Sequence, residues 1–193
     1  IKQRALLGLI LVGIAPTISV ITGFALKAGI IAAFVFIFTK LWIFGLPAYW
    51  YLKVEGGQRS YSIPKNGGWM VSTLLGIGMA IVIGIAYFLL GDLVIRSEDL
   101  AEILEPFGLT VPWKLAVGIL FWIFINSVLE EYVFRWFITS KLETLVGGKW
   151  RPILLSAAIF TLHHTIALAF FIDPLGNVIA SLGVFIGGVI FSW

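Results

Sequence analysis

The sequence predicts an all-α membrane protein, a polytopic bundle of transmembrane helices. Of its 193 residues, 60% are hydrophobic and only 12% are charged, whereas about a quarter of the residues in a soluble domain are charged. The mean hydropathy is +1.06, and long stretches of the chain carry no charge. Lipid must therefore be the solvent for most of the surface of this protein.

Six apolar stretches are long enough to cross a bilayer, which takes about 20 mostly apolar residues. The predicted spans are 5–26, 29–52, 69–90, 111–140, 152–172 and a sixth that begins near 175 and is still apolar at Trp193. We expect Pro16 and Pro47 to kink the first two spans. Gly183 and Gly187 form a GxxxG pair that predicts close helix packing in the sixth.

The charges of the loops predict an orientation. Basic residues precede the first span and follow the second and fourth: Lys2, Arg4, Lys53, Arg59, Lys65, Lys141, Lys149 and Arg151. The loop after the third span is acidic, with an expected amphipathic helix over 97–107 lying on the membrane surface. Because cytoplasmic loops are enriched in Lys and Arg, we expect the N-terminus in the cytoplasm and the acidic loop outside.

Cysteine labelling tests this orientation, since the chain has no cysteine of its own. The lack of cysteine also excludes disulfides, thiolate metal sites and a cysteine nucleophile in this chain. With a single cysteine at Ser60 or Glu102, an impermeant maleimide applied to intact cells should label position 102 and spare position 60. Labelling of position 60 alone would reverse the predicted orientation.

The fourth span contains three ionisable residues, Glu130, Glu131 and Arg135. A charge at the centre of a span costs about 2.5–3.5 kcal/mol on insertion scales, so each of them needs a partner or a function. Glu131 and Arg135 stand one helical turn apart and predict an ion pair. Glu130 is turned about 100° away from Glu131 and has Asn126 one turn before it. A carboxylate without a basic partner on its own helix is a candidate general base.

The fifth span supplies a possible partner for Glu130, because it carries His163 and His164. Glu130 lies about 16 Å from Lys141 along its helix, and His164 about 20 Å from Arg151, at a rise of 1.5 Å per residue. Both distances start from the cytoplasmic side, so Glu130 and His164 are expected at similar depth on neighbouring helices. His163 is expected to point elsewhere and to serve as a packing or supporting residue.

Glu130 to Arg135 reads EExxxR, and Phe160 to His164 reads FxxxH in the next span. Together these two motifs resemble the CPBP family of CAAX proteases and bacteriocin-processing enzymes, also called Abi proteins, to which the Ras-converting CAAX endopeptidase belongs. The resemblance begins near Trp113. It implies a catalytic core over 111–193, preceded by three N-terminal helices and the surface helix over 1–110. It also implies a multi-pass protein of a bacterial plasma membrane.

The resemblance implies an endopeptidase in which Glu130 and His164 activate water, supported by the pair of Glu131 and Arg135. The surrounding cavity would include Asn126, Phe160 and His163. Family members usually carry a later HxxxN element, which is proposed to stabilise the oxyanion. This sequence has no histidine besides His163 and His164, so that element is absent from it. Because the sixth span is still apolar at Trp193, we expect the natural chain to continue into a further span that carries this element. The alternative is a degenerate, inactive member.

No cofactor and no metal is expected, although two glutamates and a histidine are a possible zinc ligand set. The expected partners are the lipid bilayer and a membrane or membrane-proximal peptide or protein, and not nucleic acid. Two other functions stay open. One is a non-catalytic immunity or assembly factor of the same fold. The other, ranked below it, is a proton-coupled transporter using Glu130 and Lys40, although pairing or snorkelling explains Lys40 better.

Overall fold

The computed structural model describes residues 1–59, 68–95, 104–105 and 108–192. Six helices in these ranges are long and apolar enough to cross a membrane, and we number them in chain order: α1 (Lys2–Ala25), α2 (Ile30–Val54), α3 (Trp69–Val94), α4 (Pro112–Val146), α5 (Trp150–Leu168) and α6 (Pro174–Ser192). The prediction of an all-α fold with six spans is therefore confirmed. The expected surface helix over 97–107 lies mostly outside the described residues.

The first, second and fourth helices each change from α-helical to π-helical winding. The π-helical stretches are Ile21–Ala25, Trp50–Val54, Trp122–Asn126 and Glu131–Ile138. The first helix is interrupted at Ile14, just before Pro16, and the π-helical end of α2 follows Pro47. Because π-helical turns occur often at functional sites, the two stretches in α4 are of interest, since Glu130 lies between them.

The fourth helix ends later than the sequence predicts. It continues to Val146, so Lys141 is a helical residue and not a loop residue. The Lys141 side chain is buried and donates to the carboxylate of Glu55, just after α2. Lys141 is thus one half of an ion pair between helices, which corrects its assignment to a cytoplasmic loop. The contact places the C-terminal ends of α2 and α4 on the same side of the bundle.

The C-terminal ends of α3 and α5 also meet each other. The backbone N–H of Asp173 donates to the carbonyl of Val94 at 2.9 Å, and Ile95 forms an isolated β-bridge with Ile172. If successive spans run antiparallel, α2 and α4 end on one side of the membrane, and α3 and α5 end on the other. The contact between Lys141 and Glu55 and the contact between Asp173 and Val94 agree with this arrangement. Which of the two sides faces the cytoplasm stays a prediction.

The core lies where α1, α2 and α4 meet. Its buried residues are Val12, Ala15, Ile43, Trp50, Val133, Phe134, Phe137, Ile138 and Leu142. Gly8 allows α1 to approach closely, because an added Cβ there would lie 3.2 Å from the Trp50 ring. Outside this core, large apolar side chains such as Phe88, which is 85% exposed, point away from the protein. Such surfaces are stable only in contact with lipid.

The carbonyl of Phe134 fixes α4 against α5. It accepts hydrogen bonds of 2.8 Å from the hydroxyls of Thr139 and Ser156. Ser156 belongs to α5 and is fully buried. Because π-helical winding changes the backbone hydrogen-bond pattern of α4, these side-chain donors help to satisfy this carbonyl and hold the two helices in one register.

The sixth helix packs through Gly187 of the predicted pair and through its neighbour Gly188, and not through Gly183. A Cβ on Gly188 would lie 3.1 Å from the Cβ of Ala157 on α5, and one on Gly187 would lie 2.7 Å from the Met79 side chain of α3. Gly183 has no such neighbour within 4 Å. The close approach therefore uses Gly187 and Gly188, on adjacent faces of α6, and the predicted role of Gly183 is wrong.

Candidate active site

Polar groups from α4 and α5 meet inside the bundle. Glu130, His163 and His164 each offer one atom that could bind a metal, a carboxylate oxygen or a ring nitrogen. These three atoms lie within 4.8 Å of one another. This geometry agrees with the similar depth that the sequence predicts for Glu130 and His164. The register set by Ser156 and Phe134 explains how two helices joined by a short connection bring these groups together.

The hydrogen bond of His164 defines which of its nitrogens is free. Its Nδ1 lies 2.9 Å from the carbonyl oxygen of Phe160. Because a carbonyl oxygen only accepts, Nδ1 carries the proton, and in a neutral imidazole Nε2 is then an acceptor. His164 is half-buried. It therefore presents a basic nitrogen that its own helix holds in a fixed orientation.

His163 is itself a member of the cluster, contrary to the expectation that it points elsewhere. Its buried ring stacks on Phe134, with centroids 5.3 Å apart and planes 16° apart, and its centroid is 4.1 Å from that of His164. Adjacent helical residues diverge by about 100°, so a site that lies between their two directions is within reach of both. Glu130 occupies that position.

Glu130 belongs to a hydrogen-bonded chain that reaches a third helix. Its Oε1 accepts from Nδ2 of Asn126 at 2.7 Å. The Oδ1 of Asn126 in turn accepts from the ammonium of Lys40 on α2. Sequence reasoning placed Asn126 correctly next to Glu130 but did not place Lys40 at this site. A lysine inside a span was the available signal, and its partner depends on how α2 is rotated against α4.

Glu131 and Arg135 form the predicted ion pair, with 3.4 Å between Oε1 and Nη2. The Glu131 side chain is 48% exposed and that of Arg135 only 10%. The guanidinium also lies over the Phe160 ring, 4.5 Å from its centroid. Phe160 thus contacts Arg135 and both histidines, which links the ion pair to the cluster.

The residues that could bind zinc differ from the set that the sequence predicts. Two imidazoles and one carboxylate are a common zinc ligand set, and the three clustered residues are Glu130, His163 and His164. Glu131, which belonged to the expected set of two glutamates and one histidine, pairs with Arg135 instead. The geometry therefore fits a metal through both histidines, and whether the protein uses one stays a prediction.

Breaking the ion pair should destabilise the protein. Glu131→Gln leaves the buried Arg135 guanidinium without its carboxylate partner, and removing one member of a buried pair costs about 3–5 kcal/mol. Because Glu131 is half exposed, we expect the loss in unfolding free energy to lie below that range. In detergent this corresponds to a melting temperature lower by about 5 °C. Arg135→Gln added to Glu131→Gln should restore part of the loss. An unchanged melting temperature would show that the pair contributes nothing.

Fold and site together define a polytopic helical membrane protein with a carboxylate and two imidazoles clustered inside the bundle. The family model described as Rce1-like, type II CAAX prenyl endopeptidase, matches residues 112–193. The match confirms the resemblance to CAAX/CPBP intramembrane proteases that the two motifs predict, and it supports a protease role in general. It covers α4 to α6, and α1 to α3 lie outside it. No curated protein and no solved structure matches the chain.

Proposed function

We propose that this protein is a membrane endopeptidase in which Glu130 and His164 activate a water molecule to hydrolyse a peptide bond. The observation that carries the proposal is the cluster of Glu130 and the two histidines within 4.8 Å. Groups within this distance are close enough for one water to hydrogen-bond to two of them at the usual distance of about 2.7–3.2 Å.

The hydrogen bonds around the cluster support a specific way of holding that water. The carboxylate of Glu130 only accepts, and Nε2 of neutral His164 also accepts. A water between them donates one hydrogen to each, which leaves its oxygen lone pairs directed at a substrate carbonyl. As the oxygen attacks, Glu130 takes the proton and later delivers it to the leaving amine. The new carboxyl group and the free amine account for all atoms of the water and the peptide.

The location of the cluster supports a substrate that lies in or next to the bilayer. The cluster is formed by two membrane-spanning helices, so the peptide bond must enter the membrane region to reach it. Few waters compete there, and charged groups interact more strongly than in bulk water. The proposal therefore favours a membrane protein or a membrane-bound peptide as the substrate. Its scissile peptide bond would have to reach the cluster inside the helix bundle.

Product analysis tests the proposal. The purified protein in liposomes is incubated with a library of apolar peptides, and mass spectrometry identifies new termini. We expect discrete cleavage products with the wild type and none with a Glu130→Gln/His164→Ala double variant, with and without a metal chelator. A folded wild-type protein that yields no products across the library would favour the non-catalytic immunity or assembly factor.

A further inference from the structure

We infer that Lys40 is a positioning residue for Glu130, acting from α2 through the side-chain amide of Asn126. The inference rests on the proposed function, because it assigns a role in the same reaction. It extends the site to a helix outside the residues that match the endopeptidase family, since that match begins at residue 112.

The connection consists of two consecutive hydrogen bonds. The Lys40 ammonium donates to Oδ1 of Asn126, which is 86 residues away in the chain. The Nδ2 of the same amide donates to Oε1 of Glu130 at 2.7 Å. Asn126 is only 4% exposed, so water has little access to compete for these bonds. The Lys40 ammonium also lies 5.3 Å from the centroid of the Phe36 ring, which helps to hold it in place.

The chemistry of the three groups allows only one direction for this chain. An ammonium has donors and no acceptor, and a carboxylate has acceptors and no donor. The amide between them must therefore turn its oxygen to Lys40 and its nitrogen to Glu130. Reversing the amide would place two donors face to face on one side and two acceptors on the other. Lys40 thus determines the orientation of Asn126, and Asn126 presents a donor to Glu130.

This arrangement prepares Glu130 for the role of base. Hydrogen bonds that involve a charged partner are about twice as strong as neutral ones, and both bonds here have one. Oε1 accepts from Asn126, which restrains the carboxylate and leaves Oε2 for the water. Without Lys40 the amide loses its anchor and the carboxylate gains freedom. A displacement of about 1 Å in a reacting group can lower the rate about 100-fold.

Kinetics of Lys40 variants provide the first test. Lys40→Met keeps the length of the side chain but removes the donor, and kcat should fall roughly 10–100-fold while KM changes less than about twofold. Lys40→Arg retains a donor and should recover most of kcat. Lys53→Met is the matched control, because Lys53 is an exposed lysine at the end of the same helix. It should keep wild-type kinetics. Melting temperatures are measured for every variant.

Asn126→Asp separates positioning from simple structural support. The new carboxylate still accepts from Lys40 and retains that contact between helices, but it has no N–H for Glu130. The variant also places a second carboxylate beside Glu130. If Lys40 acts through the amide, Asn126→Asp should stay folded and lose at least as much kcat as Lys40→Met. Wild-type kcat in a folded Asn126→Asp or Lys40→Met protein would overturn the inference. So would a loss in Lys40→Met that only follows its melting temperature while Asn126→Asp stays active.

The proposed function is judged separately with Glu130→Gln. If Glu130→Gln is inactive and the Lys40 and Asn126 variants are fully active, the role of Lys40 is wrong and the proposed function stands. If Glu130→Gln is itself active, the proposed function is wrong, whatever the Lys40 variants do.

Discussion

Replacing Glu130 with glutamine should abolish peptide-bond cleavage and leave the protein folded. The substitution removes the base, and loss of general-base catalysis alone costs about 10²–10⁴ in rate. The glutamine side chain has the same size, and its oxygen can still accept from Nδ2 of Asn126, as Oε1 of Glu130 does. We therefore expect kcat/KM to fall by that factor with little change in melting temperature. The measurements are reporter cleavage in liposomes and thermal unfolding in detergent.

Two further glutamates serve as controls for this substitution. Glu143→Gln changes an exposed glutamate near the end of the same helix and should have wild-type activity and stability. Glu131→Gln should lower stability more than it lowers the activity of the folded fraction, because Glu131 pairs with Arg135 and not with the histidines. A folded but inactive Glu131→Gln protein together with an active Glu130→Gln protein would assign the base to Glu131.

The spans could be predicted because hydropathy depends on composition over a whole helix and not on any one contact. The end of α4 could not be predicted, because the sequence alone places Lys141 among the loop charges. Its helical continuation to Val146 depends on Glu55, which neutralises Lys141 from just after α2. A lysine near the end of a span can lie in the loop or be buried in the helix, depending on whether a distant residue pairs with it. The spacing of residues along one helix does not reveal that partner.

In the candidate site, too, contacts within one helix could be predicted, whereas contacts that depend on how the helices are rotated could not. The pairing of Glu131 with Arg135 and the proximity of Asn126 to Glu130 are local, since both depend on one helical turn. The approach of His164 to Glu130 followed from equal depth on neighbouring helices. The positions of His163 and Lys40 depend on the rotation of α5 and α2 about their own axes. The π-helical stretches on both sides of Glu130 change the angular position of each residue, so an α-helical period alone could not place them.

Removing the imidazole of His164 should have an effect similar to that of removing the Glu130 carboxylate. Its Nε2 is proposed to accept the second hydrogen of the attacking water, and its orientation is fixed by the bond between Nδ1 and the Phe160 carbonyl. His164→Ala should therefore lower kcat/KM by about 10²–10⁴, the range expected for loss of a group that acts in proton transfer. Reporter cleavage in liposomes measures this loss, and the melting temperature shows whether the protein is folded.

A double variant shows whether His164 and Glu130 act on the same water. Residues that work as a unit have strongly non-additive effects, so Glu130→Gln/His164→Ala should be little worse than either single variant. His163→Ala is the matched control, since it removes a neighbouring imidazole of the same helix that packs on Phe134, and its effect on activity should be milder. Losses that multiply in the double variant, or a larger loss in His163→Ala than in His164→Ala, would mean that His164 does not share the water with Glu130. In the second case His163 would take the place of His164 as the partner of Glu130, which its position within 4.8 Å of the carboxylate allows.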